Sequence, residues 1–351
     1  MRVLGRPLPS QLERFLRSWD GAELFQESVR LYGVENGFGS LLAANTTDRP
    51  AGLRPRDLVF GDTSAGELLV LDENERVVRL RGLDDDEGAP NVNATWDERW
   101  LSGTSLEAWI AATVTHDLPL YDSEGEFVLE AFEEDGLALV PNFALKLARK
   151  VLKKDPESAE LHHALGVAER RNEHISEAAK AFSDAAALDP KNPWIWFDLG
   201  RSLLELDAWQ PAAEALGNAA KNALGSPSQA ARFYAWQAVA YKQQPSEPSR
   251  LAATEQALVL WPTLQADLQK AAAAAVMEDD RDAYEQLEPL LDAFVAVQSG
   301  KRLALLSEPT VPPPQQKPLP RPAPARKPPP AKRPPVAQKK KKQQVRPKPK
   351  R

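Results

Sequence analysis

Between Ala159 and Asn222 the chain repeats its own spacing with a period of 34 residues. Counting Ala159 as position 1, Leu165 and Gly166 fall at 7 and 8, Ala178 at 20, Phe182 at 24, Ala185 at 27 and Pro190 at 32. Counting again from Pro193, Trp196 falls at 4, Leu199 and Gly200 at 7 and 8, Ala212 at 20, Leu216 at 24 and Ala219 at 27. Small residues at 8 and 20 let two helices cross closely. A large apolar residue at 24 fills the wedge to the next unit, and proline at 32, which has no N–H to donate, stops the second helix. Such a unit buries its apolar face only against a neighbour, so the spacing predicts an α-solenoid of stacked antiparallel pairs.

The array extends both ways. Upstream, "ALKLARKVLKKDP" places Ala144 at 20 and Pro156 at 32, which predicts a lone second helix capping the stack. Downstream, "ARFYAWQAVAYKQ" and "AATEQALVLWP" make a looser third unit. Counted from Ala231, its Tyr241, Ala257 and Pro262 fit and its Arg250 and Thr254 do not, with an offset from Pro193 of 38 rather than 34. The stretch "LQKAAAAAVMEDDRDAYEQLEPLLDAFVAV" supplies further helix to close the core. These positions resemble the tetratricopeptide repeat. The resemblance implies a concave groove lined from helix positions 2, 5, 9, 12 and 13: Glu160, His163, Val167, Arg170 and Arg171 from the first unit, Trp194, Phe197, Arg201, Leu204 and Glu205 from the second. Trp194 and Phe197 stand out, because binding energy concentrates on large aromatics; packing against the preceding domain or the partial cap is the alternative for them. His163 and Val167 stand where a carboxylate clamp has Lys and Asn, which argues against binding of an acidic chain terminus.

The first 120 residues have a different grammar. Ser10 to Glu13 and Thr104 to Glu107 have capping-box spacing, each predicting a helix start. After the first, Leu12, Phe15, Leu16 and Trp19 recur on one face, and Asp20-Gly21 follows where a glycine ends helices, so Asp20 reads as part of a stop signal rather than a catalytic acid. After the second come Leu106, Trp109, Ile110 and Val114. Between them lie extended runs at 57–60, 67–72 and 76–81, the last two joined by the polar turn Glu73-Asn74-Glu75. Helix, antiparallel strands and helix make an α+β domain.

"LPSQLERFLRSWDGAELFQESVRLYG", "FGDTSAGELLVLDENERVVRL" and "TSLEAWIAATV" together resemble the SUKH superfamily, the immunity-type domain. The landmarks are a helix running into Trp-Asp-Gly, a Gly-Asp turn before the "GELLVLD" strand, and a closing helix with an aromatic beside an apolar residue. Asp20 stands where the family often has Asn. The resemblance covers about a third of the chain, and it implies a protein-binding, non-enzymatic module of the kind that in bacteria neutralises toxins by occluding them.

Charge divides the chain. From Pro309 to Arg351 there are 14 Lys or Arg, 15 Pro and no Asp or Glu, leaving 30 basic against 50 acidic groups in residues 1–308. With few apolar side chains to bury, that segment is predicted to be a disordered, extended tail. Its basic groups, among them Arg326, Lys327, Lys332, Arg333 and Lys339, Lys340, Lys341 and Lys342, suit unselective, salt-sensitive contact with nucleic acid or another polyanion. The alternative is contact with the chain's own acidic body, for which "DDDE" at 84–87 and the helices around "MEDDRD" are candidates.

Chemistry finds little to work with. There is no cysteine, so thiolate metal sites, disulfides and thiol nucleophiles are excluded. The four histidines, His116, His162, His163 and His174, lack metal-ligand spacing, and "NGFGSLL" lacks the lysine of a phosphate loop. No stretch has the uninterrupted apolar length of a signal peptide or a membrane span, which predicts a cytoplasmic chain. The expected organisation is an α+β domain (1–120), a connecting hairpin (121–140), an all-α tetratricopeptide-like solenoid (141–305) and a disordered basic tail (306–351). No enzyme activity and no cofactor are expected. The expected partner is a protein, a toxin or a scaffold client.

Overall fold

Leucine and β-branched residues in the first third of the chain build a meandering sheet. The computed structural model describes residues 2–298, apart from 4–5, 26–27, 35–39, 51–52, 82–97, 135, 137, 224, 244–245 and 279. The chain divides into two units, Met1–Leu305 and Leu306–Arg351. The basic tail, with its eight named lysines and arginines, and the acidic run at 84–87 lie outside the described residues.

A short ladder pairs β1 (Arg2–Val3) with β2 (Arg6–Pro7), and α1 (Ser10–Ser18) follows. Strands β3 (Ala22–Leu24), β4 (Val29–Leu31), β5 (Leu58–Thr63), β6 (Leu68–Leu71), β7 (Val77–Arg81) and β8 (Glu98–Gly103) pair in that order as one antiparallel sheet. Helix α2 (Leu41–Asn45) lies between β4 and β5, and α3 (Leu106–Asp117) follows β8. Alternation sorts the side chains. Leu58, Phe60, Leu69, Leu71 and Val77 meet Leu12 and Leu16 of α1 and Leu106 and Trp109 of α3 on one face. Val59, Val70, Val78 and Leu80 cluster on the other, beside Ala44 of α2. Asp72 shapes the β6–β7 turn by accepting the Asn74 and Arg76 amides at 2.8 and 3.0 Å, with Glu75 at a positive φ of 60°.

Both helices start where the spacing predicts, but their expected caps need correction. Pro9, not Ser10, precedes α1, and no side chain caps it. The cap of α3 is Ser105, whose hydroxyl accepts the Ala108 amide at 3.1 Å. Thr104 is drawn away by a distant partner: its amide and hydroxyl donate to Asp155 at 2.7 and 2.8 Å. Trp19 leaves the predicted apolar face, because α1 ends before it and its side chain is 64% exposed. Val114 is exposed as well. Asp20 does mark a helix end: Gly21 takes a φ of 86°, and the carboxylate accepts the Val34 amide at 2.6 Å.

Residues 118–140 hold two 3₁₀ turns, Leu118–Leu120 and Leu129–Ala131, and two antiparallel bridges, Tyr121 with Phe127 and Phe132 with Leu139. Among the described residues nine helices follow: α4 (Pro141–Leu152), α5 (Ala159–Arg171), α6 (Ile175–Leu188), α7 (Pro193–Glu205), α8 (Trp209–Asn222), α9 (Pro227–Lys242), α10 (Glu247–Leu260), α11 (Leu264–Met277) and α12 (Arg281–Gln298). Helices α5 with α6, α7 with α8 and α9 with α10 stack as antiparallel pairs, and α4 packs on α5 as the lone leading helix. The fold is therefore an α+β sheet region followed by an all-helical solenoid. The small positions do what their spacing requires: a Cβ on Gly166 would stand 2.5 Å from the Phe182 ring, and one on Gly200 would stand 2.6 Å from Leu216.

The third pair explains its own irregularity. Helix α9 starts 34 residues after α7, whereas α10 starts 38 residues after α8, so the surplus is one extra turn ahead of Ala231. Arg250 and Thr254, which break the spacing, are both buried. Arg250 sits where the earlier units have Ala178 and Ala212. It donates to the Ala293 carbonyl of α12 at 2.6 Å while pairing with Glu247 at 2.5 Å. Thr254 donates back to the Arg250 carbonyl at 3.0 Å. With Leu290, Ala293 and Phe294, α12 closes the core of this pair.

Candidate partner-binding face

The first-unit groove residues are largely engaged by the rest of the chain. His163 lies between Trp100 of β8 and Phe182, with ring centroids 4.8 and 5.2 Å away, and donates to Asp198 at 2.7 Å. Arg170 approaches the other oxygen of that carboxylate at 3.4 Å, and Arg171 pairs with Glu133 of the connecting segment at 2.8 Å. Val167 is 39% exposed. This half of the predicted groove contacts the chain's own sheet and connector, a packing the sequence raised only for Trp194 and Phe197; Trp194 too lies against the cluster that holds Trp100 and Leu101 of β8.

The second-unit residues form a half-buried aromatic cluster that the third unit extends around the buried Phe233. Trp194 and Phe197 stand edge-on at 6.0 Å, and both reach Phe233 of α9, at 5.3 and 4.9 Å. The Arg201 guanidinium stacks 4.0 Å above Trp236 and 5.9 Å from Phe197. Leu204 joins Trp236 and Tyr241 over Ala212, Leu216 and Ala240. Burial, with Arg170 nearby, holds the pKa of Arg201 below its usual value. Among the described residues no carboxylate forms a hydrogen bond or ion pair with it. Phe233 and Trp236 were missed because they belong to the loose third unit, where the extra turn of α9 hides the register. Their only signal was the aromatic density of "RFYAW".

The other three histidines have local partners. His116 meets Asp117 at 2.6 Å, His162 donates to the Pro156 carbonyl at 2.9 Å, and His174 donates to Glu169 at 2.9 Å. Among the described residues no group of three or more His, Asp and Glu side chains is placed to hold a metal ion. No described helix is long and apolar enough to cross a membrane.

The tetratricopeptide repeat family model matches residues 159–202. Among solved structures, the chain is similar to the MamA RS-1 ArsTM double mutant, with 19% identity over 45% of this chain and 88% of that one and a TM-score of 0.33. It is similar to YrrB, described as a TPR protein with an unusual peptide-binding site, with 16% identity over 47% of this chain and 82% of that one and a TM-score of 0.32. A third is Pseudomonas aeruginosa pilF, with 22% identity over 47% of this chain and 73% of that one and a TM-score of 0.33. No curated protein matches the chain. The segment similar to the tetratricopeptide family thus lies within the stretch where the 34-residue spacing and the stacked helix pairs coincide.

Proposed function

We propose that this chain is a non-catalytic, cytoplasmic protein-binding protein of the immunity type. Its sheet region, which resembles the SUKH superfamily, and its helical array would together occlude a protein toxin. The observation that carries the binding reading is the row of Trp194, Phe197, Trp236 and Arg201, rigid aromatics around a cation that no described carboxylate pairs with. Arginine and tryptophan dominate interface hot spots because they bring large area and several donors at low entropic cost. Co-expression with nuclease toxins, followed by purification of a defined complex and titration, tests this. The expected result is a complex whose affinity falls about thirtyfold or more with Arg201→Ala, a hot-spot loss of about 2 kcal/mol, while the melting temperature stays near that of the parent chain. Failure to form any complex sinks the immunity reading, and a complex indifferent to Arg201 moves the interface elsewhere.

The second reading, a scaffold tethered to a polyanion, rests on the charge of the tail: 14 basic and no acidic residues in its last 43 positions. Deleting residues 309–351 should then abolish binding to duplex DNA. The parent chain's affinity should fall about a thousandfold between 50 and 200 mM salt if six or more phosphates are contacted. DNA binding that survives the deletion, or that ignores salt, rejects the tether.

A further inference from the structure

Where β7 and β8 face the turn between α6 and α7, a cavity of about 350 Å³ opens beside Trp194. Its charge runs against that of the body around it: Arg54, Arg76, Arg99 and Lys191 line it, against Asp72 and Asp189. Two of the cations are held in place from behind. Arg76 pairs with the buried Asp72 at 2.7 Å, and Arg99 pairs with the buried Asp57, also at 2.7 Å. The other two are uncommitted, since neither the Arg54 guanidinium nor the Lys191 ammonium has a partner among the described residues.

The backbone adds to the same polarity. Helix α7, 13 residues long, starts at the cavity wall, with Asn192 as its cap and Pro193 at its first position. The positive end of its macrodipole therefore faces the same space as the four cations. Asp189, the other opposing carboxylate, forms no ion pair among the described residues. Burial raises its pKa, and its oxygen accepts the Lys191 amide at 3.4 Å. Val78, Leu101, Leu188 and the Trp194 ring supply an apolar wall. The volume lies near the lower end of the range for small-molecule pockets, about 300–1,000 Å³.

From the convergence of four cations and a helix N-terminus on this cavity, we infer that it binds a small organic phosphate, a monoester no larger than a mononucleotide. A carboxylate offers two oxygens in one plane and satisfies a single guanidinium. A phosphate monoester offers three oxygens and close to two charges, which matches donors arriving from the β6–β7 turn, β8, the segment before β5 and the α6–α7 turn. The apolar wall takes the organic part. This site lies beyond the protein-binding reading and does not depend on it.

Calorimetric titration of the full chain at constant ionic strength tests the inference, with ribose 5-phosphate, adenosine 5′-monophosphate, inorganic phosphate, adenosine and succinate as probes. Both monoesters should bind saturably, adenosine should not bind, and succinate should bind at least tenfold more weakly. Inorganic phosphate should bind more weakly than the monoesters; a match would show that the apolar wall takes no organic part and would overturn the monoester assignment. The exposed pair Arg54→Ala with Lys191→Ala should lose about tenfold or more per charge-assisted contact. Asp189→Asn, which removes the opposing charge, should bind more tightly. No saturable binding of any phosphate, succinate binding as tightly as the monoesters, or a double variant that binds like the parent would each overturn the assignment.

Discussion

Replacing Trp100 by alanine lowers the stability of the sheet-and-helix unit by about 3–5 kcal/mol, the range for truncating a large buried aromatic. Trp100 is 5% exposed and lies on β8, the last strand of the sheet. A terminal strand is a liability unless something covers it. Here the helical array does so: Trp100 and Leu101 pack with Ala159, Ala185, Ala186 and Ile195, and the Ser158 hydroxyl donates to the Ser102 carbonyl at 2.9 Å. Removing the indole takes away the largest of the buried side chains in that contact and the ring that His163 packs against. Urea unfolding followed by far-ultraviolet circular dichroism and by tryptophan fluorescence should be coincident in the parent chain and separate in Trp100→Ala, because the two parts then lose their main coupling. Trp100→Phe should recover most of the loss. The indole N–H is buried without a partner among the described residues, and an unmet donor costs about 1–3 kcal/mol that phenylalanine does not incur. A loss below about 1 kcal/mol in Trp100→Ala would show that the coupling lies elsewhere.

That contact also marks the limit of what the residues reveal in order. Gly166 and Phe182, or Gly200 and Leu216, are 16 positions apart in one helix pair, so local spacing exposes their packing. The β6–β7 hairpin and the Asp20-Gly21 stop are legible for the same reason. Thr104 shows the opposite case. Its capping-box spacing is sound, but Asp155, 51 positions later, offers its amide and hydroxyl a buried carboxylate, and the cap moves to Ser105. His163 likewise reads as a groove residue until β8 brings Trp100 onto it. The cavity at the α6–α7 turn carries no local signal at all, because Arg54, Arg76, Arg99 and Lys191 come from four segments that only the tertiary fold joins. Arg250 was visible as a misfit, and its reason, the Ala293 carbonyl of α12, was not.

Asp57→Ala should cost the sheet about 3 kcal/mol or more. Asp57 is 1% exposed, just before β5, and holds Arg99 of β8 through both guanidinium nitrogens at 2.7 and 3.2 Å. It also accepts the Arg54 amide at 3.0 Å. In the sheet order β6 and β7 lie between β5 and β8, so the pair ties together strands that the hydrogen-bond ladder does not join directly. The cost comes less from the lost attraction than from what remains: a mostly buried guanidinium with its counter-charge gone, and an amide without its acceptor. A double variant, Asp57→Ala with Arg99→Met, removes both charges and should regain most of the lost stability. A double-mutant cycle on urea midpoints measures that coupling. Equal losses in the single and double variants would mean that the pair matters only through packing. Arg99 also faces the cavity, so its release has a second consequence. In Asp57→Ala the freed guanidinium should turn to a bound anion, and ribose 5-phosphate should raise the melting temperature more than it does in the parent chain, since a ligand stabilises the folded state in proportion to its affinity for it. In the double variant, which lacks the guanidinium, that gain should vanish.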